Sequence, residues 1–343
     1  MSKKVATVCG LIHSDELGIT LPHEHILVDL RDSWKGLGAE LSIRELFQKP
    51  IQLNIRGKVI YNAFNFIENM YHLDSDDAVS ELNEFKKFGG NSIVDVTSAG
   101  LGRDPKALFS ISKITGLNII MGAGDYASFV WTEDMKRRNI KDITNEIVRD
   151  FEEGVRETKI RPGVIGEIGV WNFNDDLEIK SLIAAARAQK KVNCGLYIHP
   201  PIWETRGNAI LDILENEKCN LDKTVLCHCD PTWENYDYHD SLAKRGAYIE
   251  FDFWGGEFMS SEGWFLPSDG ERIKAIKEQI NRGNLKKILL SHDACFKISF
   301  KKWGGFGYSH ILENIVPRFK QAGIKDEQIN IMINENPKEL LSF

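Results

Sequence analysis

No apolar run in this sequence approaches the roughly 18–20 residues of a membrane-spanning helix, so no membrane partner is expected. An excess of positive charge is missing too. Lysine and arginine number 43 against 50 aspartates and glutamates, a net charge of −7. Nucleic-acid phosphates call for a basic face, so no nucleic-acid partner is expected. Cysteine is sparse: six residues in 343 (Cys9, Cys194, Cys219, Cys227, Cys229, Cys295) do not make a disulfide scaffold. The opening MSKKVATVCG has two lysines but no apolar stretch behind them. A secretory signal is therefore not expected, and a cytoplasmic location with reduced thiols is. Low-complexity segments, internal repeats and interdomain linkers are also missing, which predicts one domain over residues 1–343.

What is present is an ordinary core-forming composition, 42% apolar and 27% charged. Eight apolar, β-branched runs read as strands: residues 17–28, 91–96, 117–124, 162–170, 192–200, 224–230, 246–253 and 286–293. Stretches with helical content lie between them. The runs are nearly continuous rather than alternating, the pattern of strands covered on both faces, as in parallel sheets. Eight such units in one chain predict an α/β fold, a (β/α)8 TIM barrel, rather than an open sheet. Two connections are too long for ordinary turns, 29–75 and 254–270. Long loops at the C-terminal face of a barrel are where substrate is met.

The chemistry gathers at the strand ends. His23 and His25 are two apart in a strand and share a face, whereas Glu24 points away. Two imidazoles so placed make half of a metal site, although a lone HxH also arises by chance. His199, His228 and Asp293 fall at or near the ends of the fifth, sixth and eighth predicted strands, and Glu167 lies within the fourth. A barrel brings such positions into one ring. Four histidines and two acids exceed the needs of one ion and suit two divalent ions with a bridging carboxylate.

At this point a family resemblance emerges. GITLPHEHI (18–26) resembles the zinc-binding signature of the phosphotriesterase family, within the amidohydrolase superfamily. VDVTSAGLGRDPKAL (94–108), TGLNIIMGAGDY (115–126), HCD (228–230), RGAYIEFDFWG (245–255) and LSHDACFK (290–297) are similar to the family in order and spacing, over nearly the whole chain. The resemblance implies a (β/α)8 barrel, a binuclear metal centre at the C-terminal ends of the strands, and hydrolysis by a metal-bridging hydroxide. It implies that His23, His25 and Asp293 hold the more buried ion and His199 and His228 the more exposed one. Asp293 would also serve as the catalytic proton carrier. The founding phosphotriesterase bridges its metals with a carboxylated lysine; GEIG here offers Glu167, as in the phosphotriesterase-related and homology-protein branch.

That departure moves the expectation from phosphotriesters toward carboxylic esters, first of all a lactone (a sugar lactone, with or without phosphate). The alternatives are an amidase acting on an N-acyl amino acid or N-acyl taurine, a promiscuous phosphotriesterase, and a non-catalytic metal-binding barrel. The expected cofactor is a pair of divalent ions, Zn2+ first, with Mn2+ and Co2+ equally suited to the ligands. The expected partner is a small-molecule substrate. The family also includes homodimers, but no residue pattern here marks an interface.

Other residues carry weaker signals. Tyr126 follows the third strand and stands either against the substrate or packed under a loop. Trp254 opens the seventh loop and is expected to wall the pocket. Lys297, Lys301 and Lys302 either meet an anionic part of the substrate or form a solvated face. Strand alternation turns Cys227 and Cys229 away from His228, as buried thiols, and turns His292 away from the ligands. Cys295 is left open. Asp104 before Pro105 reads as a helix cap. His13, His72, His239 and His310 lack strand-end positions and are expected on the surface. Phe253, after Asp252, occupies a place where some family members have a histidine proton relay, so that relay is not carried over.

Overall fold

The computed structural model describes residues 3–33, 41–257 and 265–343. Parts of both expected long loops, 34–40 and 258–264, therefore lie outside the described residues, as do the first two residues of the opening segment. In chain order the strands are β1 (Lys4–Thr7), β2 (Gly10–His13), β3 (Thr20–Glu24), β4 (Val28–Asp29), β5 (Tyr71–His72), β6 (Ser92–Asp95), β7 (Asn118–Ala123), β8 (Val164–Gly169), β9 (Gly195–His199), β10 (Thr224–Leu226), β11 (Tyr248–Phe251) and β12 (Ile288–Leu290). The helices are α1 (Leu41–Phe47), α2 (Arg56–Ile60), α3 (Ser75–Lys87), α4 (Pro105–Thr115), α5 (Glu133–Arg137), α6 (Ile140–Glu153), α7 (Asp176–Val192), α8 (Gly207–Asn216), α9 (Tyr236–Lys244), α10 (Asp269–Asn281), α11 (Val316–Gln321), α12 (Asp326–Asn330) and α13 (Asn336–Leu341).

Eight of these strands pair in parallel in the order β12-β11-β10-β9-β8-β7-β6-β3. The two outer strands meet where the His23 amide donates to Ser291 Oγ (3.0 Å) and the Asp293 amide to the His23 carbonyl (3.3 Å), nearly closing the sheet into a barrel. Alternate strand residues fill the barrel. Val94, Ile120, Val164, Tyr197, Val225, Tyr248 and Leu289 pack together with Val5 and Leu17. The opposite strand faces pack against the apolar sides of the surrounding helices; α7, for instance, buries Leu182, Ala184, Ala185 and Ala188. Each large apolar side chain so buried contributes about 1.5–3 kcal/mol.

The strands match the predicted runs in place but not in length. Residues 224–230 and 286–293 yield only Thr224–Leu226 and Ile288–Leu290. Beyond them the chain turns at His228 (φ 56°) and Asp293 (φ 47°), in the left-handed region that favours glycine but tolerates His and Asp. The β1–β2 hairpin was not expected from the pattern; it contributes Val5 to the barrel interior. Part of the 29–75 insertion folds over the barrel mouth. Its Phe47, Phe66 and Met70 pack with Tyr126, Trp131 and Phe296 from the loops after β7 and β12. Among the described residues no helix is long and apolar enough to cross a membrane.

Candidate metal centre

Local structure delivers each of the six expected ligands to one place. His23 lies on β3, where a register shift against β6 falls between Leu21 and Glu24. His25 follows, held by its Nδ1 against Thr97 Oγ1 (2.9 Å), while Tyr308 Oη donates to its carbonyl (2.8 Å). Glu24 turns the other way. It accepts from Ser291 Oγ (2.7 Å), the His292 amide (2.8 Å) and the Ala294 amide (3.0 Å), so it fixes the loop that presents Asp293. Glu167 follows Gly166, whose φ of 126° and close approach to Tyr197 admit no side chain: a Cβ there would stand 2.7 Å from Tyr197 Cβ. His199 ends β9 with its Nδ1 against the Pro200 carbonyl (2.8 Å).

Glu167 occupies the centre. His23, His25 and Glu167 form one group with ligand atoms within 4.8 Å of one another, and Glu167, His199 and His228 form another; His23, His228 and Asp293 form a third. Glu167 Oε1 is 2.7 Å from His228 Nε2 and 3.7 Å from His23 Nε2. His25 Nε2 is 3.1 Å from Asp293 Oδ1. Two further acids hold the imidazoles from behind. Glu250 Oε2 lies 2.9 Å from His23 Nδ1, and Asp252 Oδ1 lies 2.9 Å from His228 Nδ1. Such contacts fix the tautomer and aim Nε2 into the site. Glu250 and Asp252 were not expected as site residues, although two buried acids spaced i, i+2 in an apolar strand were a readable signal.

The electrostatics are those of a site short of positive charge. Burial opposes a proton on His23, yet Glu250, Glu167 and Asp252 raise its pKa to about 10. His228 is likewise raised, against burial, by Asp252 and Glu167. Burial lowers His199 to about 4, so it is a neutral donor at neutral pH. Burial works to raise Asp293, but His25 and His23 hold it well below the usual carboxylate range. The donor set fits divalent ions: His23 Nε2 is fully buried and has no hydrogen-bond partner, and a metal ion is what such an atom, ringed by carboxylates, can take.

The profile of the phosphotriesterase family matches residues 3–341. The chain belongs to the phosphotriesterase family. An N-acetyltaurine hydrolase of Dictyostelium discoideum is 35% identical, over 99% of this chain and 98% of that one. Among solved structures, a resiniferatoxin-binding protein from Rhodobacter sphaeroides is 38% identical, with a TM-score of 0.97 over 98% of this chain and 94% of the other. A lactonase from Listeria monocytogenes shares the barrel at 23% identity and a TM-score of 0.77, covering 99% of both chains. The protein is thus a hydrolase of the phosphotriesterase family.

In this phosphotriesterase-family barrel five of the six expected ligands, His25, Glu167, His199, His228 and Asp293, line a cavity of about 700 Å³. Trp254, expected at the pocket, lines it, as does Tyr126, for which the sequence left the pocket and packing under a loop open; Cys295, Phe129, Trp171, Trp203, Phe253 and Arg56 line it too. Phe253 stacks on His228 (centroids 4.8 Å, 6°), which gives the place of the missing relay histidine a packing role. Several expectations are corrected. Lys297 does not line the cavity; it is buried, 3.3 Å from Glu68 and over the rings of Tyr71 and Trp303. Lys301 pairs with Glu313 and Lys302 with Asp77, both away from the cavity lining, in line with the solvated-face alternative. His72, His239 and His310 are buried, not on the surface; each ring finds a polar partner: the Ile26 carbonyl, Thr232 and Asp269 respectively. Cys227 and Cys229 are buried as expected, but not side by side. The strand ends before them, and Cys227 packs in the barrel interior while Cys229 joins the outer layer. His13 is half-exposed, and His292 faces Glu24 at 2.7 Å.

Proposed function

We propose that the protein is a binuclear metal-dependent amidase that cleaves N-acyl conjugates of small anionic amines, N-acetyltaurine among them. The observation that carries the hydrolytic part is Glu167, shared between the His23–His25 group and the His199–His228 group. The amide part is supported by the N-acetyltaurine hydrolase relative, similar along the whole chain. The lactone favoured by sequence alone stands second, because the lactonase likeness speaks to the fold only.

His23, His25 and Asp293 would hold one ion, His199 and His228 the other, and Glu167 both. Two divalent ions, when bound, supply a water of lowered pKa and an electrophile for the substrate carbonyl. Asp293 starts ionised, so it can take the proton that the attacking water loses and hand it to the leaving nitrogen. That transfer matters most for an amide, whose nitrogen leaves only when protonated. Glu250 and Asp252 keep His23 and His228 in place through the cycle. Burial raises the Tyr126 phenol well above its usual pKa, so it stays a hydrogen-bond donor on the cavity wall.

The test is a panel on purified protein loaded with zinc or manganese: N-acetyltaurine, N-acetyl amino acids, sugar lactones with and without phosphate, and a phosphotriester. Amide cleavage is expected to exceed the others. Lactone opening without amide cleavage would overturn the amidase reading, and no turnover at all would leave a binding barrel.

A further inference from the structure

The cavity has two chemically different sides. Beside His199, three aromatic rings form a wall: Tyr126 and Phe129 have centroids 6.0 Å apart, and Phe129 and Trp171 are 5.6 Å apart. Tyr126 and Trp171 stand 5.4 and 5.2 Å from the His199 ring. The loop that carries Asp293 builds the other side. There Arg56, at the start of α2, lines the cavity half-buried, with its Nε donating to the Trp303 carbonyl at 3.1 Å. The next residue, Gly304, has φ 80°, and a Cβ there would stand 3.1 Å from Arg56 Nε; bare backbone lets the guanidinium lie against the loop.

Arg56 differs from most arginines of this protein. Arg103, Arg138, Arg272 and Arg282 each meet a carboxylate, whereas Arg56 has no ion pair among the described residues. A half-buried guanidinium with no counter-charge among the described residues, facing a ligand cavity, is a binding group for an anion, and its planar fork matches a sulfonate or carboxylate. The other arginine among the described lining residues, Arg318, is exposed and bonded to the Asn314 carbonyl.

We infer that Arg56 determines specificity for the anionic end of the substrate, gripping the sulfonate or carboxylate of the leaving amine, while the Tyr126–Phe129–Trp171 wall receives the acyl group. This rests on the amidase reading, in which Asp293 protonates the leaving nitrogen. The amine half must then lie toward the Asp293 loop, where Arg56 is fixed, and the acyl half toward His199.

The test compares N-acetyltaurine with its methyl sulfone analogue, which keeps the amide and the chain but has no charge. Arg56→Ala is expected to raise KM for N-acetyltaurine roughly tenfold to a hundredfold, the usual worth of a hydrogen bond to a charged group. Its kcat should change little, and the sulfone should be turned over as by the wild type, which also reports an intact fold. Arg56→Lys should recover part of the loss, because the charge stays and the fork goes. Arg187→Ala, which breaks a surface ion pair with Glu217 away from the cavity, should leave both substrates unaffected. Equal effects of Arg56→Ala on the two compounds, or none on either, would overturn the assignment. Calorimetric titration with N-acetyltaurine separates the two readings. Wild-type binding without turnover, lost in Arg56→Ala, would overturn only the amidase reading; binding that Arg56→Ala leaves unchanged would overturn the role of Arg56.

Discussion

His23 is clamped from behind by Glu250, and that clamp can be loosened without touching a ligand. Glu250→Gln keeps the shape and removes the charge; metal affinity, measured by competition with a chelator, should weaken roughly 10–100-fold. Unchanged affinity would mean that the contact is packing only. A second residue sets a pH response. His239 is wholly buried against Phe251, and burial lowers its pKa from 6.5 to about 3. The unfolded chain therefore binds one more proton than the folded one between those values, so stability rises with pH across that window. The contribution is fully present above pH 6.5 and is lost as pH falls toward 3. His239→Gln should flatten the pH slope of the unfolding free energy by up to about 1.4 kcal/mol per pH unit, and an unchanged slope would contradict it. The expected ligand residues stood out in the sequence because each lies within, or at the end of, an apolar run. Arg56 and the burial of His239 were not, since their surroundings are assembled from distant loops and from the face of α9.

At the scale of elements, local chemistry decides where helices begin. Asp104 accepts from the Lys106 and Ala107 amides, Pro105 opens α4, and Gly116 in the left-handed region closes it. Asp104→Ala should cost about 1 kcal/mol in chemical denaturation, and no loss would show that tertiary packing alone sets this terminus. That cap was readable from sequence, as were the places of the eight barrel strands. Their ends were not. Hydrophobicity runs on through Cys227 and into Ser291, but backbone pairing stops earlier, where the chain bends toward His228 and Asp293. The β1–β2 hairpin escaped notice because its strands are four residues long and β2 buries none of its residues fully.

For the whole molecule, the barrel supplies a ring of candidate ligands and the loops above it line the cavity. The ring follows from eight apolar runs; the cavity depends on how the 29–75 insertion packs on the loops after β7 and β12, which no local pattern encodes. A space of about 700 Å³ suits ligands well beyond an acetyl conjugate. In a series of N-acyl taurines from acetyl to octanoyl, kcat/KM should hold as the chain lengthens, and Trp171→Ala should lower it most for the longer members. A steep fall with length in the wild type would mean the aromatic wall does not receive the acyl group. Everything in the proposed chemistry passes through one carboxylate shared by two groups of imidazoles. The most direct measurement is metal content by plasma emission on protein purified without chelator, native beside Glu167→Ala. Two equivalents in the native protein, falling in the variant, are predicted; one equivalent in both, or none after reconstitution with zinc or manganese, would contradict the binuclear centre.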